Sequence, residues 1–118
     1  MRVLVLLLFW AACAPRSVPK QDGSIQPKEG AVIEMIEETA VGMLGRQRVP
    51  MANVTKKYKF KLPDGSEGQG PACMLMLPKA TWVGVGSEVE AGGYRWRVIE
   101  IKVPDDDTGS IYLERLDG

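Results

Sequence analysis

The segment GSEVEAGGYRWRVIEIKV, residues 86–103, constrains the fold more than any other part of the chain. Its Gly92-Gly93 pair separates two stretches in which apolar and charged residues alternate, a pattern typical of a tight β-hairpin. We predict a short strand at residues 88–91 and a long strand at residues 94–103. A chain that contains this hairpin is expected to build an antiparallel sheet around it.

In the long strand of this hairpin, the apolar residues move from even-numbered to odd-numbered positions midway. Trp96 and Val98 share one face of an ideal strand, whereas Ile99 and Ile101 lie on the other. An extra residue near Val98–Ile99 would bring both sets to the buried side, so we predict a β-bulge there. Trp96 alternates with core residues, and we expect its ring to be packed inside.

A second strand is predicted in KKYKFKLPDG, residues 56–65. Tyr58, Phe60 and Leu62 alternate with lysines, which indicates one apolar face and one wet face. The Pro63-Asp64-Gly65 turn ends this strand, because proline fixes φ and glycine permits the left-handed position.

The other segments give shorter signals. Residues 31–44, AVIEMIEETAVGML, match both helical and strand spacing, and their Val, Ile and Thr residues favour a strand. Residues 72–78, ACMLMLP, are apolar on both faces and predict a central strand, and SIYLERL, residues 110–116, predicts the closing strand. We interpret SEGQGPA, residues 66–72, and KATWVG, residues 79–84, as loops.

Together these segments predict an all-β fold. Five to six short antiparallel strands form a small sheet. If this sheet stayed open, the unpaired backbone groups of its edge strands would promote aggregation, so we expect it to close or to fold on itself. We therefore expect a small β-barrel or a β-sandwich over residues 31–118.

Residues 1–12 have the composition of an export signal. Arg2 precedes an apolar run from Val3 to Ala14 that Pro15 ends. That run would span about 18 Å as a helix, against about 30 Å for a hydrocarbon core, so we do not expect it to remain as a transmembrane helix. A charged start, a short apolar stretch and small residues before a break are typical of a secretory signal peptide.

The sequence Trp10-Ala11-Ala12-Cys13 resembles the lipobox of bacterial lipoproteins, although Trp10 stands where that family prefers leucine. The resemblance implies cleavage before Cys13, acylation of its thiol and a membrane anchor. Since Ala14 and not aspartate follows the cysteine, it also implies the periplasmic face of the outer membrane in a Gram-negative host. Alternatives are an ordinary secreted protein and a translation start at Met35 or Met51.

Residues 13–30 would then form a flexible tether between anchor and domain. The stretch APRSVPKQDGSIQPKEG, residues 14–30, is rich in proline, glycine and polar residues, with only Val18 and Ile25 large and apolar. Such a segment buries too little surface to fold alone. With Cys13 lipidated, Cys73 cannot form an internal disulfide, and we interpret it as a core residue.

The composition argues against several functions. The chain has no histidine, and its 15 basic and 15 acidic residues give no net charge. The commonest general base and neutral metal ligand is therefore absent, and no overall field favours nucleic acid. Asp105-Asp106-Asp107 could attract calcium, but adjacent aspartates at a hairpin tip point apart. We expect no cofactor, no bound metal, no nucleic-acid partner and no enzymatic activity.

The candidate partner-binding residues are Trp82, Lys57, Lys59 and Lys61. An exposed tryptophan is the residue type most often found at the energetic centre of protein interfaces. The lysines could contact an anionic partner, or they could simply form a solvated strand face that protects a sheet edge.

Residues 71–116 also resemble the C-terminal half of the head–tail joining proteins of tailed phages. The matching features are Gly86-Ser87-Glu88-Val89, the Gly93–Val98 hairpin, the turn from Pro104 to Gly109 and the last strand. Ser87 departs from the usual aspartate, and a virion connector needs no export signal. A weaker resemblance is to the small barrels of periplasmic secretion and pilus-assembly proteins. We therefore expect a lipid-anchored binding or assembly module of the cell envelope, able to form homo-oligomers, with a virion connector as the alternative.

Overall fold

The computed structural model describes residues 23–104 and 108–116, and every regular element in these ranges is a β-strand. The eight strands are β1 (Ile33–Glu37), β2 (Val41–Leu44), β3 (Gln47–Lys61), β4 (Glu67–Leu77), β5 (Lys79–Gly84), β6 (Glu88–Ala91), β7 (Tyr94–Lys102) and β8 (Ser110–Arg115). The prediction of a small all-β domain is confirmed. The strands number eight and not five or six, because residues 31–44 form two strands and residues 79–84 form one that the sequence pattern did not indicate.

The strands form two antiparallel four-stranded sheets. The first sheet has the order β1-β8-β7-β6 and the second the order β2-β3-β4-β5. Their inner faces enclose the core, which includes Leu44, Val49, Leu75, Val98 and Leu113. Trp96 and Cys73, both predicted to be core residues, belong to it and are 1% and 0% exposed.

The β6–β7 hairpin forms as the glycine pair predicts. Gly92 and Gly93 both have positive φ, 61° and 86°, which side chains other than glycine rarely adopt. A Cβ on Gly92 would also lie 2.2 Å from the Leu44 carbonyl oxygen of the neighbouring turn. The pairing of β7 with β8 shifts register between Val98 and Glu100, so the predicted bulge is confirmed. The bulged residue, Ile99, is 6% exposed.

The interpretation of residues 66–72 and 79–84 as loops was wrong. Gly68 and Gly70 lie within β4, directly opposite Phe60 and Tyr58 of β3. Glycines are usually depleted in strands, but here each stands opposite an aromatic residue of the neighbouring strand. Residues 79–84 pair with β4 along their whole length as β5, so Trp82 stands in a strand.

Residues 31–44 form two strands and not one. The chain turns at residues 38–40, where Thr39 adopts a positive φ of 65°. The Glu38 carboxylate holds this corner by accepting hydrogen bonds from the backbone N–H groups of Val54 and Gly109. β1 therefore joins the first sheet and β2 the second, and Ile36 packs against Gly42 between them.

The second sheet curls into a half-barrel. Two register shifts interrupt the pairing of β3 with β4 between Ala52 and Tyr58. β3 and β5 approach each other although β4 lies between them. The hydroxyl of Ser87 closes the curl, since it donates to the Lys61 carbonyl oxygen at 2.9 Å and accepts from the Gly84 N–H at 3.0 Å.

The segment before β1 lies on the outer side of the first sheet. The Ile25 N–H donates to the carbonyl oxygen of bulged Ile99 at 2.8 Å, and the Lys28 N–H donates to the Glu114 carboxylate at 2.7 Å. Contacts with the domain therefore begin before the expected boundary at residue 31. The rest of the expected tether, with Cys13 and the signal peptide, lies outside the described residues.

Candidate partner-binding surface

Trp82 does not stand alone. Its ring stacks on Tyr58 with centroids 4.2 Å apart and planes inclined by 32°. Tyr58 comes from β3 and Trp82 from β5, so the pair bridges β4 on one face of the curled sheet. Because adjacent strands lie about 4.8 Å apart, rings two strands apart meet this closely only where the sheet is curved or the side chains lean together.

Tyr58 is more exposed than its alternation with the lysines predicts. The alternation itself is present, since Tyr58 and Phe60 lie on one face of the β3–β4 hairpin and Lys59 and Lys61 on the other. Phe60 is buried because its ring lies where a Cβ on Gly84 would be, 2.2 Å from that position. The Tyr58 ring is stacked on Trp82 instead and remains 48% exposed.

The aromatic pair belongs to a larger apolar surface. The registers of β2 to β5 place the following residues on the outer face, opposite the core: Val41, Met43, Arg48, Pro50, Ala52, Met74, Met76, Ala80 and Trp82. We call these residues, with Tyr58, the outer apolar face. Val41, Met43 and Met76 are 50%, 45% and 43% exposed. Clustered exposed apolar side chains of this kind mark interaction sites more often than scattered ones do.

The strand β4 carries apolar residues on both of its faces, and the outer ones belong to this surface. ACMLMLP was predicted to be a central strand because it is apolar on both faces, and β4 does lie between β3 and β5. Its inner residues, Cys73 and Leu75, are fully buried. Its outer residue Met76 is 43% exposed. The apolar residues on both faces therefore correctly predicted a central strand, and part of the outer face of this strand is exposed.

The predicted lysines lie near the aromatic pair but not on its face. Lys57, Lys59 and Lys61 are exposed and flank Tyr58 along β3. Arg48 is the charged residue that the strand register places among the apolar residues, directly opposite Met43. As a whole, β3 contains Arg48, Lys56, Lys57, Lys59 and Lys61 and no acidic residue. Positive charge is therefore concentrated on β3, although the whole chain is neutral, but Lys59 and Lys61 lie on the side of the sheet opposite the outer apolar face.

A buried ion pair lies on the other sheet. Glu114 is 0% exposed, and its carboxylate accepts a hydrogen bond from the Arg97 guanidinium at 2.6 Å. Burial alone would raise the pKa of Glu114, but the Lys28 N–H and the Arg97 guanidinium outweigh it, so this pKa is lowered. The pair pins the segment before β1 to the sheet, which is a structural role.

The described residues hold little that suggests covalent chemistry. Burial, with a smaller contribution from the Glu38 carboxylate, raises the pKa of the Cys73 thiol to about 12, so this cysteine is a poor nucleophile. Within residues 23–104 and 108–116, no group of three or more acidic or cysteine side chains is placed to hold a metal ion. Asp105-Asp106-Asp107 lie outside the described residues. The described part also contains no helix long and apolar enough to cross a membrane.

Comparison with known proteins does not assign a function to this surface. No protein-family model, curated protein or solved structure matches the chain. The function must therefore be inferred from the fold and from the chemistry of the outer apolar face.

Proposed function

We propose that this chain is a non-enzymatic, lipid-anchored module of the cell envelope that binds protein through its outer apolar face. The observation that carries the binding part is the exposure of Val41, Met43, Met76 and Tyr58 together on one sheet. Methionine side chains are flexible and polarisable, which suits a surface that adapts to a partner. The Tyr58–Trp82 stack adds a large, rigid contact area.

The anchoring part of the proposal rests on the sequence. The Trp10-Ala11-Ala12-Cys13 motif supports acylation of Cys13. One acyl chain gives only marginal membrane binding, whereas several chains hold a protein firmly. The domain would then be retained at the outer membrane, on its periplasmic face in a Gram-negative host, and the outer apolar face would act within the envelope.

Metabolic labelling tests the anchor. Cells that express the full chain are grown with labelled palmitate, and the same is done with Cys13→Ser. We expect label on the wild type and none on the variant. A wild type without label, or a variant with undiminished label, contradicts the anchor. An unlabelled chain recovered from virus particles would instead support the virion-connector alternative.

Photo-crosslinking in the same cells tests the binding face. A photoreactive phenylalanine analogue replaces Met76 in one variant and Glu90, exposed on β6 of the first sheet, in the matched control. We expect a discrete crosslinked protein with the Met76 variant and none with the Glu90 variant. Equal crosslinking at both positions, or crosslinking to lipid alone, contradicts binding of protein through this face.

A further inference from the structure

The second sheet ends at β5, beyond which the described chain places no further strand. β5 pairs with β4 in a regular antiparallel register that contains no shift. In such a pair, successive residues direct their backbone N–H and C=O groups alternately toward the paired strand and away from it. Every second residue of β5 therefore presents both of its backbone groups to the open side of the sheet.

Hydrogen bonds at two places fix which residues of β5 point outward. The Gly84 N–H donates to Ser87 Oγ at 3.0 Å, and the Gly84 carbonyl oxygen accepts from the Ser87 N–H at 2.9 Å, so both groups of Gly84 are engaged outside β4. On the other side of β4, the Met51 N–H donates to the Ala40 carbonyl oxygen at 3.2 Å. Met51 therefore points away from Leu75, the β4 residue opposite it.

Both observations give the same alternation along β5. Leu75 does not bond to β3 and therefore bonds to its other neighbour, Thr81 of β5. Ala80 and Trp82, on either side of Thr81, direct their N–H and C=O groups away from β4, as Gly84 does. The described part of the chain places no hydrogen-bond partner at these groups of Ala80 and Trp82.

β5 also lacks the features that usually protect an edge strand, which are charged side chains, proline, bulges or a covering element. The edge strands of the first sheet, β1 and β6, carry glutamates, and β2 at the other end of the second sheet contacts β1. β5 contains neither an acidic residue nor a proline, and its one charged residue, Lys79, is its first. A regular, open edge of this kind can accept another strand.

We infer that an extended segment of a partner protein binds along β5 as a further antiparallel strand of the second sheet. The backbone of another extended chain supplies the acceptors and donors that the N–H and C=O groups of Ala80 and Trp82 need, and this defines the chemistry of the occupant. The inference rests on the proposed function, because Ala80 and Trp82 belong to the outer apolar face and an added strand would continue that face.

The side chains of β5 set a preference for the sequence of the segment. Trp82 and Ala80 share one face, so the residues opposite them in an added strand lie two positions apart and also share that face. Aromatic and β-branched side chains pack well beside an aromatic residue of a neighbouring strand, and the small Ala80 leaves room for a second large side chain. The segment that fits is therefore extended, with large apolar residues at alternate positions.

A second copy of β5 fits this edge less well than a flexible segment does. The open edge from Lys79 to Trp82 is about 14 Å long. Two folded domains joined only along this edge would bury much less than the roughly 800 Å² per partner of a typical specific interface. A flexible segment can continue past the edge and contact the outer apolar face as well.

Residue-resolved hydrogen exchange tests the open edge on the full chain, purified from its host in a non-ionic detergent. Backbone N–H groups that are bonded within a sheet exchange more slowly than unbonded ones. We expect the N–H groups of Ala80 and Trp82 to exchange roughly a hundredfold faster than that of Thr81 between them. Equal protection of all three N–H groups would overturn the inference.

Ala80→Pro blocks strand addition without removing a hydrogen bond of the sheet. Proline has no N–H and is tolerated in an edge strand where the N–H would face away from the paired strand. Glu90→Pro is the matched control in β6. The residues that flank the hairpin turn, Ala91 and Tyr94, form a bonded pair, so the N–H of Glu90 also faces an open edge.

Each proline substitution is added to the chain that carries the photoreactive residue in place of Met76, which stands opposite Ala80. We expect Ala80→Pro to lower the yield of the crosslinked protein by roughly tenfold and Glu90→Pro to leave it unchanged. Slow exchange of the Thr81 N–H in the Ala80→Pro chain shows that β5 still pairs with β4. An undiminished yield, an equal loss with both substitutions, or a crosslinked product that is a dimer of this chain overturns the inference.

Hydrogen exchange in the crosslinked complex itself decides the question even if Ala80→Pro does not fold. The N–H groups of Ala80 and Trp82 should become protected in that complex by roughly a hundredfold relative to the free chain. Unchanged exchange of these two groups overturns the inference.

The outcomes separate this inference from the proposed function. If Met76 crosslinks to a different protein but the edge of β5 stays unprotected in the complex, the proposed function stands and the added strand is wrong. If no crosslinked protein forms at Met76, both fail.

Discussion

The ring of Trp82 lies 4.2 Å from the ring of Tyr58, and the pair spans the strand between them. The contact joins β3 and β5, which lie on either side of β4, so it stabilises the curled sheet and also forms part of its exposed surface. Small residues lie beneath it, since Gly70 stands opposite Tyr58 and buried Ala72 opposite Gly84.

Removal of the Trp82 ring should weaken the fold moderately. We expect Trp82→Ala to lower the free energy of unfolding by about 1–2 kcal/mol, since the ring is half-buried and a stacked aromatic pair contributes about 0.5–1.5 kcal/mol beyond its buried area. A double-mutant cycle with Tyr58→Ala, followed by urea unfolding, measures the coupling. Strictly additive effects of the two substitutions would show that the stack contributes nothing.

Gly84 is expected to tolerate no side chain. An added Cβ would lie 2.2 Å from the Phe60 ring, so Gly84→Ala should cost about 2–3 kcal/mol of stability through overpacking. Adding Phe60→Leu should recover part of that loss by opening space. Gly23→Ala is the control, because nothing lies within 4 Å of its Cβ position. A Gly84→Ala protein as stable as the wild type contradicts this packing.

The Glu114 carboxylate should make stability depend on pH. Its pKa is lowered in the folded protein, so its stabilising contribution is present above its ordinary value of 4.5 and is lost as the pH falls through the lower folded value. Glu114→Gln should therefore cost about 2–3 kcal/mol at pH 7, and the difference from wild type should shrink in acid. Urea unfolding at pH 7, 4 and 3 measures this, and a difference independent of pH would contradict it.

Cys73 should be protected from thiol reagents. The folded protein buries it completely and raises its pKa to about 12, so alkylation by iodoacetamide at pH 8 should be slower than in the unfolded chain by several orders of magnitude. The comparison uses the Cys13→Ser chain, in which Cys73 is the remaining thiol. Rapid alkylation under native conditions would place Cys73 outside the core.

The sequence predicted the elements whose signals are local. The Gly92-Gly93 turn and the bulge at Ile99 follow from glycine conformations and from a change of parity, both of which a short window contains. The strands around Gly68, Gly70 and Trp82 could not be predicted in that way. Those glycines are in a strand because β4 pairs with β3, which places them opposite Phe60 and Tyr58, and that pairing is a tertiary contact.

For the candidate surface too, the sequence predicted what depends on residue type and not what depends on tertiary packing. Trp82 was selected by residue type, and its partial exposure next to Tyr58 agrees with a role in binding, which stays a prediction. Val41 and Met43 were not selected, because a strand's outer face is open or covered according to what packs on it. The acidic residues of β1 and the basic residues of β3 were also not recognised as separate groups, because the net charge of the whole chain is zero.

Intact mass spectrometry of the chain purified from native membranes tests the central claim most directly. A lipid-anchored binding module predicts a mass that begins at Cys13 and includes the acyl chains attached to it. A single unacylated species that begins at Met35 or Met51 would contradict the account, since such a chain carries neither the leader nor the lipid on which the account depends.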